Sequence, residues 1–165
     1  MTLEDSRYFL TDSPEATRQF GAELAAGLRS GDFIALEGEL AAGKTCLVQG
    51  LAEGLGCAEP VTSPTFALLN IYESGSAPLY HFDLYRLERP EELEGLGYED
   101  YFYGDGLCAV EWSGVAEAYL PTRRLELKLV IPGPEPERRL IRLTCRGGQV
   151  VSASFSAREV FCDAN

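Results

Sequence analysis

The sequence has very little histidine and a deficit of positive charge, and each shortage excludes a class of function. A single histidine, His81, excludes a metal site built from several histidines, and nucleophile–histidine chemistry could use only that residue. The chain has 14 lysine and arginine residues and 26 aspartate and glutamate residues, which gives a net charge of −12. Because broad nucleic-acid binding depends on cations that neutralise phosphates, this balance argues against DNA or tRNA binding by the chain alone, and equally against an anionic membrane surface.

Long apolar runs and paired cysteines are also missing. No apolar stretch approaches the roughly 20 residues of a membrane helix, and residues 1–10 have no apolar core typical of a secretory signal. The cysteines are odd in number and widely spaced, so we expect buried or free thiols rather than disulfides or a zinc site. They are Cys46, Cys57, Cys108, Cys145 and Cys162. We therefore predict a cytoplasmic protein with one domain over residues 1–165.

Strand and helix patterns alternate along the chain and predict an α/β fold, a mixed β-sheet flanked by helices. Ser13 followed by Pro14 predicts a helix start, and the helix is expected to run to Gly31. The runs Phe33–Glu37 and Leu107–Glu111 are almost wholly apolar, which is typical of strands buried on both faces. Such strands commonly form the centre of a sheet.

Two hairpins are predicted around these central strands. Residues 65–72 and 79–85 form the first predicted pair, and residues 124–131 and 138–146 form the second. The tail from about residue 147 has no clear pattern, and its structure is left open.

Residues 38–45, Gly-Glu-Leu-Ala-Ala-Gly-Lys-Thr, match the phosphate-loop motif G-x-x-x-x-G-K-[ST] in full. A predicted buried strand precedes the motif and an amphipathic helix follows it, so backbone N–H groups and the helix N-terminus can face a phosphate. Lys44 is expected to reach the β- and γ-phosphates, and the Thr45 hydroxyl to bind Mg²⁺. The predicted nucleotide-binding residues of this segment are Gly38, Glu39, Leu40, Ala41, Ala42, Gly43, Lys44, Thr45 and Cys46.

Two strand-end carboxylates are candidate catalytic residues and metal ligands. Asp83 and Glu111 each follow an apolar run, and each could bind Mg²⁺ directly or through water, or orient the attacking water. We favour Glu111 as the closer partner of Thr45 because its strand is the more uniformly apolar. His81 shares a strand face with Asp83, and a structural role is the favoured interpretation for it.

The segment between the loop helix and the next strand is a candidate switch. The hydroxyls of Thr62, Ser63 and Thr65 could sense the γ-phosphate and the metal. A simple Ser-Pro turn explains the same residues and stays open as the alternative.

These motifs together resemble the TsaE (YjeE) family. The resemblance rests on the phosphate loop, Ser-Pro-Thr-Phe at 63–66, His-Phe-Asp-Leu-Tyr-Arg-Leu at 81–87 and Glu-Trp at 111–112. It implies a P-loop ATPase that binds ATP and Mg²⁺ and supports formation of N6-threonylcarbamoyladenosine at position 37 of ANN-decoding tRNAs. It further implies weak hydrolysis that depends on the TsaB–TsaD complex, with tRNA reached only indirectly through those partners.

The resemblance also implies positions for residues outside the motifs. It places Thr11 near the nucleotide base and Arg138 or Arg139 near its edge. In one position the chain departs from the family, because Ala41 stands where similar proteins carry glycine. If the backbone there requires a positive φ, a non-glycine residue costs about 1 kcal/mol, and nucleotide affinity is expected to be somewhat lower.

Two other functions compete with this interpretation. A small-molecule kinase would need an arginine-rich lid, which the acidic segments after Asp83 do not offer. A nucleotide-dependent interaction module with negligible hydrolysis stays open. Trp112, the only tryptophan, is either a core aromatic or a contact for the partner complex, and we favour the contact.

Overall fold

The computed structural model describes residues 5–64 and 66–161, and the predictions made for Thr65 and Cys162 lie outside the described residues. The predicted mixed sheet flanked by helices is confirmed. The eight strands of the described part are β1 (Ser6–Thr11), β2 (Phe33–Glu37), β3 (Leu69–Tyr72), β4 (Leu79–Asp83), β5 (Leu107–Glu111), β6 (Arg124–Val130), β7 (Arg139–Arg146) and β8 (Arg158–Val160). The helices are α1 (Pro14–Ala26), α2 (Lys44–Leu55) and the short α3 (Glu99–Phe102), with 3-10 segments at Pro90–Leu96 and Ser113–Tyr119.

The strands form one sheet in the order β3-β4-β5-β2-β6-β7-β1-β8. The central strands β4, β5, β2 and β6 are parallel, whereas β3, β7, β1 and β8 pair antiparallel with their neighbours. Both predicted hairpins are present as the pairs β3–β4 and β6–β7. Because parallel strands end at the same edge, the carboxyl ends of β2, β4 and β5 meet there.

The sheet separates two hydrophobic cores, as the apolar composition of the central strands predicts. Ile34 and Leu36 of β2 pack with α1 and α2 on one face. Phe33 and Ala35 face the opposite side and pack with α3 and the two 3-10 segments. Alternating side chains of one strand therefore enter both cores, which is why this strand has almost no polar residue.

The helix starts follow the local signals. The Ser13 hydroxyl accepts a hydrogen bond from the backbone N–H of Ala16 at 3.1 Å, and Pro14 occupies the first turn of α1. The expected end at Gly31 is wrong, because α1 stops at Ala26 and Gly27 caps it. No helix of the described residues is long and apolar enough to cross a membrane.

Two further differences from the predictions concern strands. The first hairpin strand begins at Leu69 rather than near residue 65, because Leu68 has a left-handed φ of 63° and its N–H closes a turn onto the Pro64 carbonyl at 2.7 Å. The tail also contains β8, which pairs with the edge of β1. Phe155, just before β8, stacks on Phe20 at 4.4 Å between ring centroids, so a tertiary aromatic contact holds the tail to the core.

Candidate functional site

The loop between β2 and α2 has the backbone geometry that its glycines permit. A Cβ atom at Gly38 would lie 2.8 Å from the carbonyl oxygen of Leu129, so the strand packs directly against the loop. Gly43, immediately before α2, has a φ of 102°, a left-handed conformation that side chains oppose. These two positions let the chain turn closely into the N-terminus of α2, where unpaired backbone N–H groups can bind an anion.

Ala41 has a positive φ, at a position where similar proteins carry glycine. Its φ is 64°, so the cost of about 1 kcal/mol for a non-glycine residue applies. Arg139 stabilises this part of the loop, because its Nε donates to the Ala42 carbonyl at 2.8 Å and its Nη2 to the Ala41 carbonyl at 3.2 Å. Arg138 instead pairs with Asp12 at 2.9 Å. Of the two arginines, Arg139 is the one that holds the loop.

Lys44 lies inside the loop and is only 4% exposed. Its Nζ donates to the carbonyl oxygens of Gly38 at 2.5 Å and Glu39 at 2.8 Å, and lies 4.3 Å from the centre of the Trp112 ring. Burial lowers the pKa of the Lys44 ammonium, and the negative charges of Glu111 and other nearby carboxylates oppose this shift. The ammonium is thus held in place by carbonyls and an aromatic face.

The two candidate carboxylates lie side by side, since Asp83 and Glu111 are paired in the parallel register of β4 and β5. Both are buried, and their partners differ. Thr45 Oγ1 donates to Glu111, at 3.0 Å from Oε1 and 3.1 Å from Oε2, and His81 Nε2 lies 2.5 Å from Oε2. Glu111 is therefore the carboxylate bonded to Thr45, and its role as the closer magnesium partner stays a prediction.

Asp83 binds a different set of groups. Its Oδ2 accepts from Ser63 Oγ at 2.8 Å, and its Oδ1 accepts from the backbone N–H of Tyr85 at 3.0 Å. The candidate switch segment therefore reaches the site through Ser63. Thr62 is turned toward the first hairpin, where its N–H donates to the Tyr72 hydroxyl at 3.3 Å.

These groups surround one cleft of about 330 Å³ at the carboxyl edge of the sheet. Most residues of the predicted nucleotide and metal sites line it, together with one residue that the sequence did not single out, Tyr85. The lining residues are Leu40, Ala41, Ala42, Gly43, Lys44, Thr45, Cys46, Ser63, Asp83, Tyr85, Glu111 and Trp112. Gly38 and Glu39 face a neighbouring groove beside Lys128 and Val130.

Thr11 is placed apart from this cleft. It is 1% exposed, and its hydroxyl lies 2.7 Å from the hydroxyl of Thr17 on α1. A contact between Thr11 and the nucleotide base stays a prediction. Cys46 lines the cleft, but its thiol donates to the Pro14 carbonyl at 3.2 Å, and burial raises its pKa.

Aromatic side chains form one rim of the cleft. Trp112 is half-buried with a left-handed φ of 58°, and its ring centroid lies 4.9 Å from that of Tyr85. Glu37 fixes the turn that follows Trp112, because it accepts hydrogen bonds from the Ser113 hydroxyl, at 2.9 Å, and from the Gly114 N–H. Strand alternation would turn Trp112 away from the Glu111 carboxylate, but β5 ends at Glu111, and the left-handed backbone of Trp112 brings both residues to the same cleft. Its packing on Tyr85 depends on a contact between two separate strand ends.

The donors in the cleft suit Mg²⁺ bound together with phosphates. Within residues 5–64 and 66–161, no group of three or more histidine, cysteine, aspartate or glutamate residues could hold a metal ion. The hydroxyl of Thr45 and the carboxylates of Asp83 and Glu111 are hard oxygen donors. Mg²⁺ commonly takes one or two carboxylates and completes its shell with water and substrate phosphates, so these residues fit the ion.

Comparisons with known proteins agree with the fold and the motifs. A family model described as threonylcarbamoyl adenosine biosynthesis protein TsaE matches residues 11–140. The tRNA threonylcarbamoyladenosine biosynthesis protein TsaE of Bacillus subtilis is 43% identical over 84% of this chain and 85% of that protein. The protein of the same name from Nostoc is 49% identical over 68% of this chain and 72% of its own length. The crystal structure of Bacillus subtilis YdiB superposes with a TM-score of 0.78 at 36% identity, covering 89% of this chain and 90% of that one.

Proposed function

Because the chain belongs to the TsaE family of threonylcarbamoyladenosine biosynthesis proteins, we propose that it is the ATP-binding and weakly ATP-hydrolysing member of this tRNA modification system. It binds ATP with Mg²⁺ and acts with the TsaB–TsaD complex in forming N6-threonylcarbamoyladenosine at position 37 of ANN-decoding tRNAs. The observation that carries the proposal is the convergence of the loop, Lys44, Thr45 and Glu111 on one cleft.

The loop residues bind and orient the triphosphate. The N–H groups of the loop and of the first turn of α2 point at the phosphate oxygens, and the helix dipole adds positive potential there. Lys44 leaves the carbonyls of Gly38 and Glu39 and donates to the β- and γ-phosphates, which are stronger, charged acceptors. Arg139 keeps the loop backbone in place during this exchange because it bonds to the Ala41 and Ala42 carbonyls.

The two carboxylates have different roles, Glu111 at the metal and Asp83 at the attacking water. Glu111 accepts the hydroxyl hydrogen of Thr45, which leaves the lone pairs of that oxygen free to face the metal. Mg²⁺, when bound, neutralises charge on the phosphates. Asp83 lies beside Glu111 at the end of the neighbouring strand and, with Ser63, orients the attacking water, and the hydrogen bond between Asp83 and Ser63 makes Ser63 sensitive to the γ-phosphate.

The aromatic rim supplies the contact with the partner complex. Trp112 and Tyr85 pack together beside the cleft, and Phe66 is 87% exposed with its ring 4.6 Å from the Arg86 guanidinium. Tryptophan, tyrosine and arginine are enriched among interface residues that dominate binding energy. Because the chain carries a net charge of −12, tRNA is reached through TsaB–TsaD and not through a basic surface.

The test compares nucleotide binding and turnover in matched variants. Lys44→Ala is expected to abolish ATP–Mg²⁺ binding in calorimetric titration, while Lys128→Ala, at the only other lysine, binds as the wild type does. Wild-type affinity in Lys44→Ala would refute the proposed site. ATP hydrolysis is then measured with and without TsaB–TsaD, and the proposal expects slow basal turnover that the complex alters. Phosphorylation of an added small-molecule acceptor would instead identify a kinase, and binding without turnover an interaction module.

A further inference from the structure

His81 makes a contact that the proposed mechanism does not use. His81 lies in β4, its imidazole is completely buried, and its Nε2 lies 2.5 Å from Glu111 Oε2. We propose that His81 is a positioning residue for Glu111, holding the carboxylate in the orientation in which it binds Thr45. The inference rests on the proposed function, because the purpose of this orientation is a competent nucleotide–Mg²⁺ site.

The chemistry of the pair determines which group donates. A carboxylate accepts hydrogen bonds and has none to give, so His81 Nε2 carries the hydrogen. The bond is charge-assisted and buried, and such bonds are among the stronger ones in proteins. It leaves the other ring nitrogen, Nδ1, buried and without a partner among the described residues.

The unpartnered Nδ1 argues against a role in packing alone. An apolar side chain would fill the same space and leave no buried polar atom unsatisfied. Leu79, two residues earlier on the same face of β4, is such a residue, and it is equally buried in the core. A histidine at this point is explained by the single polar contact that it does make, which is with Glu111.

Glu111 needs such a partner because Thr45 does not fix its orientation. The Thr45 hydroxyl has one hydrogen, and its oxygen lies at nearly equal distances, 3.0 and 3.1 Å, from the two oxygens of Glu111. A terminal carboxylate rotates easily about its last bond. The hydrogen bond from His81 engages Oε2, which stops this rotation and holds the carboxylate with Oε1 and Oε2 both within reach of the Thr45 hydroxyl.

Asp83 provides an internal comparison. It lies two residues after His81 on the same strand face, and its carboxylate is oriented instead by Ser63 and the Tyr85 N–H. Each carboxylate of the site therefore has its own positioning group. Loss of His81 is expected to affect functions of Glu111 and to leave those of Asp83.

The first test uses two substitutions and a control. His81→Leu removes the donor and keeps an apolar side chain of similar size, whereas His81→Gln places an amide N–H near the position of Nε2. We expect His81→Leu to raise the Mg²⁺ concentration for half-maximal ATP hydrolysis by tenfold or more, and His81→Gln to restore it to within about threefold of wild type. ATP affinity measured in EDTA stays within about twofold in both, because Lys44 and the loop are intact. Leu79→Ala lowers the melting temperature without changing the Mg²⁺ requirement.

The second test detects the His81–Glu111 hydrogen bond directly, and it needs neither nucleotide nor metal. Because His81 is the only histidine, ¹⁵N-histidine labelling gives one imidazole spin system in the NMR spectrum. We expect a slowly exchanging Nε2–H resonance in the wild type that Glu111→Ala shifts or abolishes. An Nε2 without hydrogen, a resonance insensitive to Glu111→Ala, or a wild-type Mg²⁺ requirement in His81→Leu would overturn the proposal. Absence of Mg²⁺-dependent ATP binding in the wild type would refute the proposed function instead, and the NMR result still decides the contact.

Discussion

Replacement of Trp112 by alanine tests how the aromatic rim contributes to stability. The ring packs against Tyr85 at 4.9 Å between centroids and covers the Lys44 ammonium at 4.3 Å. The residue is half-buried, at the margin of the core that contains Phe82 and Phe102. Trp112→Ala therefore removes two specific contacts and part of a hydrophobic surface, without emptying a closed cavity.

The size of the effect follows from these contacts. An aromatic pair contributes about 0.5–1.5 kcal/mol, and a cation–π contact about 0.5–2 kcal/mol. Alanine is as unfavourable as tryptophan at the left-handed φ of 58°, so the substitution relieves no backbone strain that would offset the lost contacts. We expect the free energy of unfolding to fall by about 1–3 kcal/mol, below the roughly 3–5 kcal/mol of a fully buried tryptophan. In a domain of this size that is a decrease in Tm of about 3–10 °C.

The measurement combines urea unfolding, followed by circular dichroism, with binding to immobilised TsaB–TsaD. Tyr103→Ala, at an aromatic residue that is 64% exposed, is the matched control and is expected to change stability by less than about 0.5 kcal/mol. Trp112→Ala is also expected to weaken association with the complex by about 2 kcal/mol. A loss of stability above about 4 kcal/mol would show that Trp112 is a core residue. Unchanged association would contradict its role as a partner contact.

The remaining predictions concern the loop, the carboxylates and the thiols. ATP–Mg²⁺ is expected to change the fluorescence of the sole tryptophan, because Lys44 leaves the ring when it binds phosphate, and a titration that leaves the emission unchanged would contradict this movement. Glu111→Gln and Asp83→Asn are each expected to reduce hydrolysis far more than nucleotide affinity, and a calorimetric loss of binding equal to the loss of turnover would refute the division of roles. Ala41→Gly is expected to raise the free energy of unfolding by up to about 1 kcal/mol, because the folded loop loses the cost of a left-handed alanine, and a urea-unfolding curve identical to that of the wild type would contradict this cost. Cys46 is expected to react slowly with iodoacetamide at pH 8, because burial raises the pKa of its thiol. Labelling as fast as that of free cysteine would contradict a raised thiol pKa.

Features encoded over a few consecutive residues were predictable from the sequence. The bounds of β2 and β5 are those expected from two apolar runs, and the Ser13–Pro14 signal marks the start of α1. The end of α1 and the start of β3 were misplaced, because Gly27 and the left-handed Leu68 interrupt patterns that composition alone would continue. β8 was not foreseen, since three residues carry too little periodicity to be recognised without the strand they pair with.

The sequence by itself determined that a phosphate loop joins a buried strand to a helix, and that two carboxylates end apolar strands. These features depend on backbone sterics and on burial, which act between neighbours in the chain. Only the tertiary structure decided that Glu111 bonds to Thr45 and His81, that Ser63 bonds to Asp83, and that Arg139 holds the loop from 97 residues away. The carboxylates meet because β4 and β5 lie side by side in one register, and Arg139 reaches the loop because β7 lies two strands from β2 in the same sheet. Strand order and register are set by long-range packing of the whole sheet rather than by any local pattern.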